Sequence, residues 1–129
     1  MVCLDTDFIA DLDRGKADAI AKLDELESRN ETVYTTAINV AELFHGANNA
    51  RDSERAVADV TAILDKFHIL SLDYDSAKTW GALAEKLKSN PVGELDLFIA
   101  SIALANKQVL ITRNKKHFER IPGLKVECW

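Results

Sequence analysis

The sequence predicts an α/β fold with a mainly parallel, roughly five-stranded sheet that is covered by helices on both faces. Strand-like and helix-like segments alternate along the chain, an order typical of parallel sheets whose crossovers are helical. The composition, 47% hydrophobic and 29% charged, is that of a globular protein. Because 129 residues suffice for one core, we expect residues 1–129 to form a single domain.

Each predicted strand is a short run of apolar or β-branched residues. These runs are residues 1–5, 32–38, 68–72, 109–112 and 124–129. The segments between them carry apolar residues at helical spacing. These segments are 7–15, 16–30, 39–49, 52–67, 75–90 and 93–108. The last of them is apolar almost all round from Leu97 to Leu104, which predicts a buried helix.

The negative net charge of the chain limits how this protein could bind nucleic acid. Its net charge of −5 argues against binding through an overall positive field, because nonspecific affinity comes from neutralising phosphates. Any such contact would have to be local. No apolar run approaches the roughly 20 residues of a membrane span, and no signal peptide is evident, so we expect a cytoplasmic location.

The two cysteines lie in the first and last apolar runs. Cys3 and Cys128 are therefore predicted to be small buried hydrophobic residues without a disulfide. The three histidines are far apart and no CxxC pair occurs, so a structural zinc site is not expected.

Two carboxylates, Asp5 and Asp7, mark the end of the first predicted strand. Asp5 closes an apolar run, so its charge must either reach solvent in a cleft or be matched by a cation. Ligands of parallel sheets bind outside the carboxyl ends of the strands, where Asp5 would lie. Asp7 has two interpretations: it caps a helix that begins at Phe8, or it is a functional acid.

Further acids occur near the starts of two predicted helices. Glu42 follows Asn39 by three residues, which resembles a capping box; the alternative is that Glu42 projects into the same cleft as Asp5. Glu94 and Asp96 fall in the first turn of the apolar helix, where the helix dipole favours negative charge. Asp96 borders wholly apolar residues and would need a partner.

Polar residues also follow the fourth predicted strand, which ends in Thr112, Arg113 and Asn114. Asn114 could be an ordinary turn residue. Beside it lies the densest group of basic residues in the chain, which comprises Arg113, Lys115, Lys116, His117 and Arg120. This group is predicted to lie at the ligand-binding edge of the sheet.

Parallel topology would bring Asp5, Glu42, Asp96 and Asn114 to one edge of the sheet. Three unneutralised carboxylates there would repel one another strongly, and a hard divalent cation would remove that repulsion. Mg²⁺ and Mn²⁺ prefer oxygen ligands, and Mg²⁺ keeps several waters. The pattern therefore predicts a Mg²⁺ or Mn²⁺ site.

Four segments, LDTD, AELFHG, ELDLFIASIALAN and VLITRNKKHFERIPGLKVECW, resemble PIN-domain ribonucleases, specifically the VapC toxins of type II toxin–antitoxin pairs. The resemblance spans essentially the whole chain. It implies a PIN-like three-layer α/β/α fold and a metal-dependent endoribonuclease that hydrolyses RNA phosphodiester bonds. It also implies a small VapB-like antitoxin bound in a groove near the site, and a homodimer.

The resemblance implies roles for individual residues. Asp5 and Asp96 would be direct metal ligands, and Glu42 would bind a second metal or orient the attacking water. Asn114 matches the fourth position of the PIN site, which is often Asp in the family. Asp7 and Thr112 would have supporting roles, and RNA contacts would come from Arg113, Lys115 and Lys116. Glu94 has no clear counterpart in the family's core motif and is treated as an accessory acid in a supporting role.

Two other functions use some of the same residues. A haloacid-dehalogenase-type phosphatase would use Asp5 and Asp7 as its Asp-x-Asp pair, but leaves Glu42 and Asp96 without a role. A non-catalytic receiver domain would accept a phosphoryl group on Asp73, after the third predicted strand. Its acids are normally adjacent, whereas Thr6 separates Asp5 from Asp7.

Overall fold

A computed structural model describes all 129 residues and contains one sheet of five strands. The strands are β1 (Val2–Leu4), β2 (Val33–Thr36), β3 (His68–Leu70), β4 (Val109–Ile111) and β5 (Lys125–Glu127). All neighbouring strands are parallel, in the order β3-β2-β1-β4-β5. The predicted five-stranded parallel sheet is confirmed, with β1 at its centre.

Seven helices connect and cover the strands. They are α1 (Thr6–Asp13), α2 (Ala17–Ser28), α3 (Ala37–Asn48), α4 (Ser53–Leu64), α5 (Tyr74–Lys86), α6 (Glu94–Ala105) and α7 (Lys115–Phe118). The first six match predicted helices with shifted boundaries, whereas the four-residue α7 was not predicted. None of the helices combines the length and apolar character that crossing a membrane requires.

The alternation of side chains along β1 separates two hydrophobic clusters on opposite faces of the sheet. Val2 and Leu4 belong to the cluster formed with α1, α3 and α4. Cys3 belongs to the other cluster, formed with α5 and α6. These helical layers on both faces give the predicted α/β/α architecture.

Helix α6 is buried as predicted. Ile99, Ala100, Ile102 and Ala103 are completely inaccessible to solvent. The only polar side chain among them, Ser101, donates its hydroxyl to the carbonyl of Leu97 at 2.7 Å, so burial leaves it satisfied. Packing on the sheet therefore sets the position of α6 and of its first turn.

The prediction that both cysteines are buried is wrong for Cys128. Both thiols are free, Cys3 is buried in β1, and Cys128 is exposed. The reason is that β5 ends at Glu127, so Cys128 lies beyond the part of the sheet that the helices cover.

Candidate functional site

The carboxyl ends of β1, β2 and β4 lie side by side, because β1 pairs with both of the other strands. The chain leaves β1 toward β2 and β3, then returns to β4 on the other side. This reversal is the topological switch point at which parallel sheets bind ligands. Asp5 lies at this point, and its backbone N–H donates to the carbonyl of Ile111 at 3.0 Å.

Three groups hold the buried carboxylate of Asp5. Its Oδ1 accepts hydrogen bonds from the backbone N–H of Thr6 at 2.9 Å and from Asn39 Nδ2 at 3.2 Å. Its Oδ2 accepts from Thr112 Oγ1 at 2.7 Å. Partners from three parts of the chain therefore determine the orientation of this side chain.

Asp5 itself is the N-cap of α1, so the predicted cap at Asp7 is wrong. The helix begins at Thr6 rather than Phe8, which places Asp7 in its first turn. Asp7 is exposed and makes no capping hydrogen bond. Its negative charge nevertheless acts on Asp5.

Burial is the largest influence on the acidity of Asp5 and raises its pKa above the usual range. The hydrogen bonds from Thr112 and Thr6 act in the opposite direction, because they stabilise the charged form. The negative charges of Asp96 and Asp7 raise the pKa further. A cation beside Asp5 would relieve both the burial of its charge and this repulsion.

A chain of hydrogen bonds connects Asp5 to Glu42. Asn39 Nδ2 bonds to Asp5 and also donates to Thr6 Oγ1 at 2.9 Å. Thr6 Oγ1 in turn donates to Glu42 Oε1 at 2.7 Å. Glu42 is half-buried on the second turn of α3, so this network holds a second carboxylate on the side of the site nearest β2.

The capping box predicted for Asn39 and Glu42 is wrong. Helix α3 begins at Ala37, and its N-cap is Thr36. Thr36 Oγ1 accepts from the backbone N–H of Asn39 at 3.2 Å, and Asn39 Oδ1 accepts from the backbone N–H of Thr36 at 3.3 Å. Since Thr36 and Asn39 complete the cap, Glu42 is free to face the site.

The buried helix α6 presents Asp96 in its first turn. Oδ2 of Asp96 lies 3.0 Å from Nε2 of His117 in α7. The imidazole therefore lies directly beside this carboxylate. The side chain of Asp96 is 36% exposed, so the carboxylate is also open to solvent.

The residues that follow β4 supply the remaining polar side chains near Asp5. Thr112 is buried, and its Oγ1 accepts from the backbone N–H of Asn114 at 3.1 Å while it donates to Asp5. Asn114 is exposed, and its side chain makes no capping bond to α7. Lys115 and Lys116 are also exposed, as a contact with a backbone phosphate would require.

Arg113 forms ion pairs and a cation–π contact with other residues of the protein. Its guanidinium lies 2.6 Å from Asp18 Oδ2 and 3.1 Å from Asp11 Oδ2, and it stacks 4.6 Å from the ring centroid of Trp129. These contacts attach the residue after Thr112 to α1, α2 and the chain terminus. Glu94 is exposed at the start of α6 and is not among the charges that act on Asp5.

A groove of about 370 Å³, lined mainly by apolar side chains, lies between α1, α3 and α4. Its lining includes Ile9, Leu43 and Val60 together with the acids Asp7 and Glu42. Apolar side chains and two acids near Asp5 therefore line the same groove.

The oxygen atoms of these side chains suit a hard cation that retains part of its hydration shell. No group of three or more His, Cys, Asp or Glu side chains is placed to hold a metal ion. Mg²⁺ is ordinarily bound by one or two carboxylates together with water and substrate phosphates. Asp5 and Asp96, whose negative charges repel each other, are the candidate carboxylates for such a pair.

The residue required by a receiver domain is already engaged elsewhere. Asp73 caps α5, and its Oδ1 accepts from the backbone N–H of Ser76 at 3.0 Å and from the Ser76 hydroxyl at 2.7 Å. These bonds lower the pKa of Asp73. Asp73 also follows the edge strand β3, two strands away from Asp5, so the two acids are separated.

Sequence reasoning missed three residues of the site: Thr6, the bridging amide of Asn39, and His117 as the neighbour of Asp96. In the sequence, Thr6 was interpreted only as the residue that separates Asp5 from Asp7, and Asn39 only as a helix cap. The available signal for Asn39 was its position three residues before Glu42, which places both on one face of a helix. His117 had been grouped with the basic residues, and nothing local links it to Asp96.

Comparison with known proteins supplies independent information. The family model described as the PIN domain matches residues 2–124. The chain is 30% identical over 128 residues to Ribonuclease VapC1 of Haemophilus influenzae, which covers 98% of this chain and 96% of that protein. It is 34% identical over 96 residues to the tRNA(fMet)-specific endonuclease VapC of Salmonella typhimurium, which covers 73% of each.

Solved structures give the same result for the fold. The chain matches one in the crystal structure of VapBC2 from Rickettsia felis bound to a DNA fragment from their promoter, with a TM-score of 0.92, 28% identity and coverage of 100% and 99%. It also matches one in DNA-bound VapBC from Salmonella typhimurium, with a TM-score of 0.89, 30% identity and coverage of 100% and 99%.

Proposed function

Because the chain belongs to the PIN-domain family, in its VapC branch, we propose that it is a Mg²⁺- or Mn²⁺-dependent endoribonuclease that acts as the toxin of a type II toxin–antitoxin pair. The observation that supports this most strongly is the position of Asp5 at the switch point of the sheet, joined to Glu42 by a hydrogen-bond network and repelled by the charge of Asp96. The phosphatase and receiver functions lack a comparable set of residues.

In this proposal Asp5 and Asp96 hold the cation, and Glu42 binds a second cation or orients the attacking water. The bound cation would supply a water of lowered pKa and would stabilise negative charge on the phosphoryl oxygens. Asn114 occupies the fourth position of the site and could contribute an amide oxygen. Asp7 has a supporting role through its charge.

The surrounding residues orient the acids. Thr112 and Asn39 fix the two oxygens of Asp5, and Thr6 fixes one oxygen of Glu42. Each acid keeps additional lone pairs for a cation or a water. Glu94 lies on the exposed rim of α6, where it could act as an accessory acid.

We propose that the exposed Lys115 and Lys116 contact the RNA backbone beside the site. A local pair of cations lets an acidic protein bind RNA, because phosphate contacts orient the substrate without an overall positive field. Arg113 was predicted as a third contact. Its ion pairs with Asp11 and Asp18 favour a positioning role instead.

The test is incubation of the purified protein with structured RNA and Mg²⁺ or Mn²⁺. We expect cleavage that EDTA abolishes, that Asp5→Ala and Asp96→Ala each reduce at least about a hundredfold, and that Asp7→Ala reduces less. Cleavage that persists in EDTA, or in both variants, would refute the metal-dependent mechanism. Equal losses in Asp5→Ala and Asp7→Ala would show that Asp7 is as important as Asp5.

For the antitoxin, we propose a small VapB-like protein that places an apolar segment in the groove between α1, α3 and α4. Gly46 lines this groove, and there is open space where its Cβ would be. Gly46→Phe should fill the groove and weaken copurification with the product of the adjacent reading frame. Gly81→Phe, on α5 with equal space around it, is the matched control. Unchanged binding by Gly46→Phe would exclude the groove.

We further propose that residues 1–129 act as one domain in the cytoplasm and form a homodimer. Both hydrophobic clusters pack on the same sheet, which supports a single domain. Ile69, Leu72 and Tyr74 are exposed apolar side chains near β3, which supports a protein interface there. Sedimentation of the purified protein would test the dimer, and a monomer at all concentrations would contradict it.

A further inference from the structure

The indole of Trp129 lies between the core and the loop that carries Asn114. Its ring packs edge-on against Phe8, with centroids 4.8 Å apart and planes at 71°, and Phe8 is completely buried in α1. The guanidinium carbon of Arg113 lies 4.6 Å from the ring centroid of Trp129. Trp129 therefore joins the residue before Asn114 to the helix that Asp5 caps.

The pairing of β4 with β5 sets this position. Ile111 pairs with Glu127, and the backbone N–H of Thr112 donates to the carbonyl of Glu127 at 2.9 Å. Because the two strands are parallel, the residues that follow them continue in the same direction, which brings Trp129 beside Arg113. The contact is thus a consequence of the sheet register.

The ion pairs of Arg113 are a weak attachment by themselves. The Arg113 side chain is 44% exposed and that of Asp18 is 57% exposed, so salt screens the attraction between them. A cation that lies over an indole is attracted by the ring quadrupole, and Trp is the most favourable aromatic residue for this contact. The half-buried Trp129 therefore supplies an attachment that is separate from the two carboxylates.

The loop that contains Arg113 also orients Asp5. On one side of Arg113, the hydroxyl of Thr112 donates to Asp5 Oδ2. On the other side, the backbone N–H of Asn114 donates to Thr112 Oγ1. A displacement of the Arg113 backbone would therefore disturb both hydrogen bonds.

We propose that Trp129 is a positioning residue, because its indole holds Arg113 against α1 and thereby keeps the Thr112 hydroxyl on Asp5. Trp129 acts through Arg113 and is not a catalytic residue. The inference rests on the proposed nuclease function and adds to it a residue that maintains the geometry of the site.

Steady-state RNA cleavage by Trp129→Leu and Trp129→Phe tests the proposal. Leu keeps an apolar contact with Phe8 but has no π face for Arg113, so kcat should fall roughly 5- to 20-fold while KM changes less than about twofold. Phe keeps a π face and should retain at least about half of the wild-type kcat. Val57→Ala, which truncates a half-buried side chain in the same hydrophobic cluster, is the matched control and should keep the wild-type kcat.

Hydrogen exchange of the metal-free protein provides a readout that needs neither RNA nor a cation. In Trp129→Leu the backbone N–H of Asn114, which bonds to Thr112 Oγ1, should exchange at least about tenfold faster than in the wild type. High salt should increase the difference, because only ion pairs then hold Arg113. The backbone N–H of Asp5, which bonds within the sheet, should exchange as in the wild type.

Arg113→Gln removes the cation and leaves the indole in place, so it should accelerate exchange at Asn114 in the same way. The test therefore does not depend on the folding of Trp129→Leu. Wild-type exchange of this N–H in either variant, or equal losses of kcat in Val57→Ala and Trp129→Leu, would overturn the inference and leave the proposed function intact. A wild type that cleaves no RNA with Mg²⁺ or Mn²⁺ would instead refute the proposed function itself.

Discussion

Thr112 donates its hydroxyl to Asp5 Oδ2 at 2.7 Å, although the two residues are 107 positions apart. The contact exists because β4 pairs directly with β1, so that the residues that follow the two strands meet. The same hydroxyl accepts the backbone N–H of Asn114. One side chain thus connects the central carboxylate of the site to the loop that carries Asn114.

Replacement of Thr112 by Val should reduce RNA cleavage roughly 10- to 100-fold, the usual effect of losing a residue that orients a metal ligand. Val matches the shape of Thr but leaves Asp5 Oδ2 without its donor. Thr112→Ser keeps the hydroxyl and should retain most of the activity. Initial rates and Mn²⁺ affinity of the two variants give the comparison; equal rates would show that this hydrogen bond is dispensable.

Asp5→Asn should stabilise the metal-free protein while it abolishes cleavage. The pKa of Asp5 is raised in the folded state, so the folded form binds more protons than the unfolded form between the ordinary and the raised pKa. Stability of the wild type should therefore fall as pH rises through that window. At neutral pH the variant should therefore melt at a higher temperature than the wild type, because it does not bury a charge at this position.

Thermal melts in EDTA across the acidic range measure this effect. Asp7→Asn is the matched control, because it removes an exposed acid from the same turn. If Asp5→Asn showed the same pH dependence as the wild type, the burial of the Asp5 charge would not limit stability.

Arg113 and Lys115 should respond differently to substitution. Lys115→Ala should weaken RNA binding and lower the slope of log affinity against log salt by roughly 0.7–1, the loss of one phosphate contact. Arg113→Ala should leave that slope unchanged and lower kcat, because its guanidinium is paired with Asp11 and Asp18.

Asp18→Asn removes an exposed partner of Arg113 and should produce a weaker form of the same kcat defect. RNA-binding isotherms at several salt concentrations distinguish the two roles. A reduced salt slope in Arg113→Ala would restore Arg113 as an RNA contact.

The two cysteines should differ in reactivity toward a thiol reagent in the native protein. Cys128 is exposed and should react at once. Cys3 is inaccessible, and burial together with the nearby charge of Asp5 raises the pKa of its thiol, so it should react only on unfolding. Cys128→Ser should therefore show no fast-reacting thiol, and rapid labelling of that variant would contradict the burial of β1.

Several features follow from residues that are near one another in the chain. The alternation of strands and helices, the all-round apolar run that became α6, and an acid at the end of β1 could all be predicted. Each depends on local periodicity or on the general rule that parallel strands end at one edge. For the same reason Asp5, Glu42 and Asp96 could be proposed as one site before any distance was known.

Tertiary packing decided which of several polar neighbours each side chain meets. Asp5 rather than Asp7 caps α1. Asn39 completes its capping box with Thr36 rather than with Glu42. Arg113 forms ion pairs with Asp11 and Asp18. A local pattern offers these groups several equally good hydrogen-bond partners within one or two turns. The choice among them depends on distances of a few ångströms, which are set when segments about 35 to 107 residues apart pack on the same sheet.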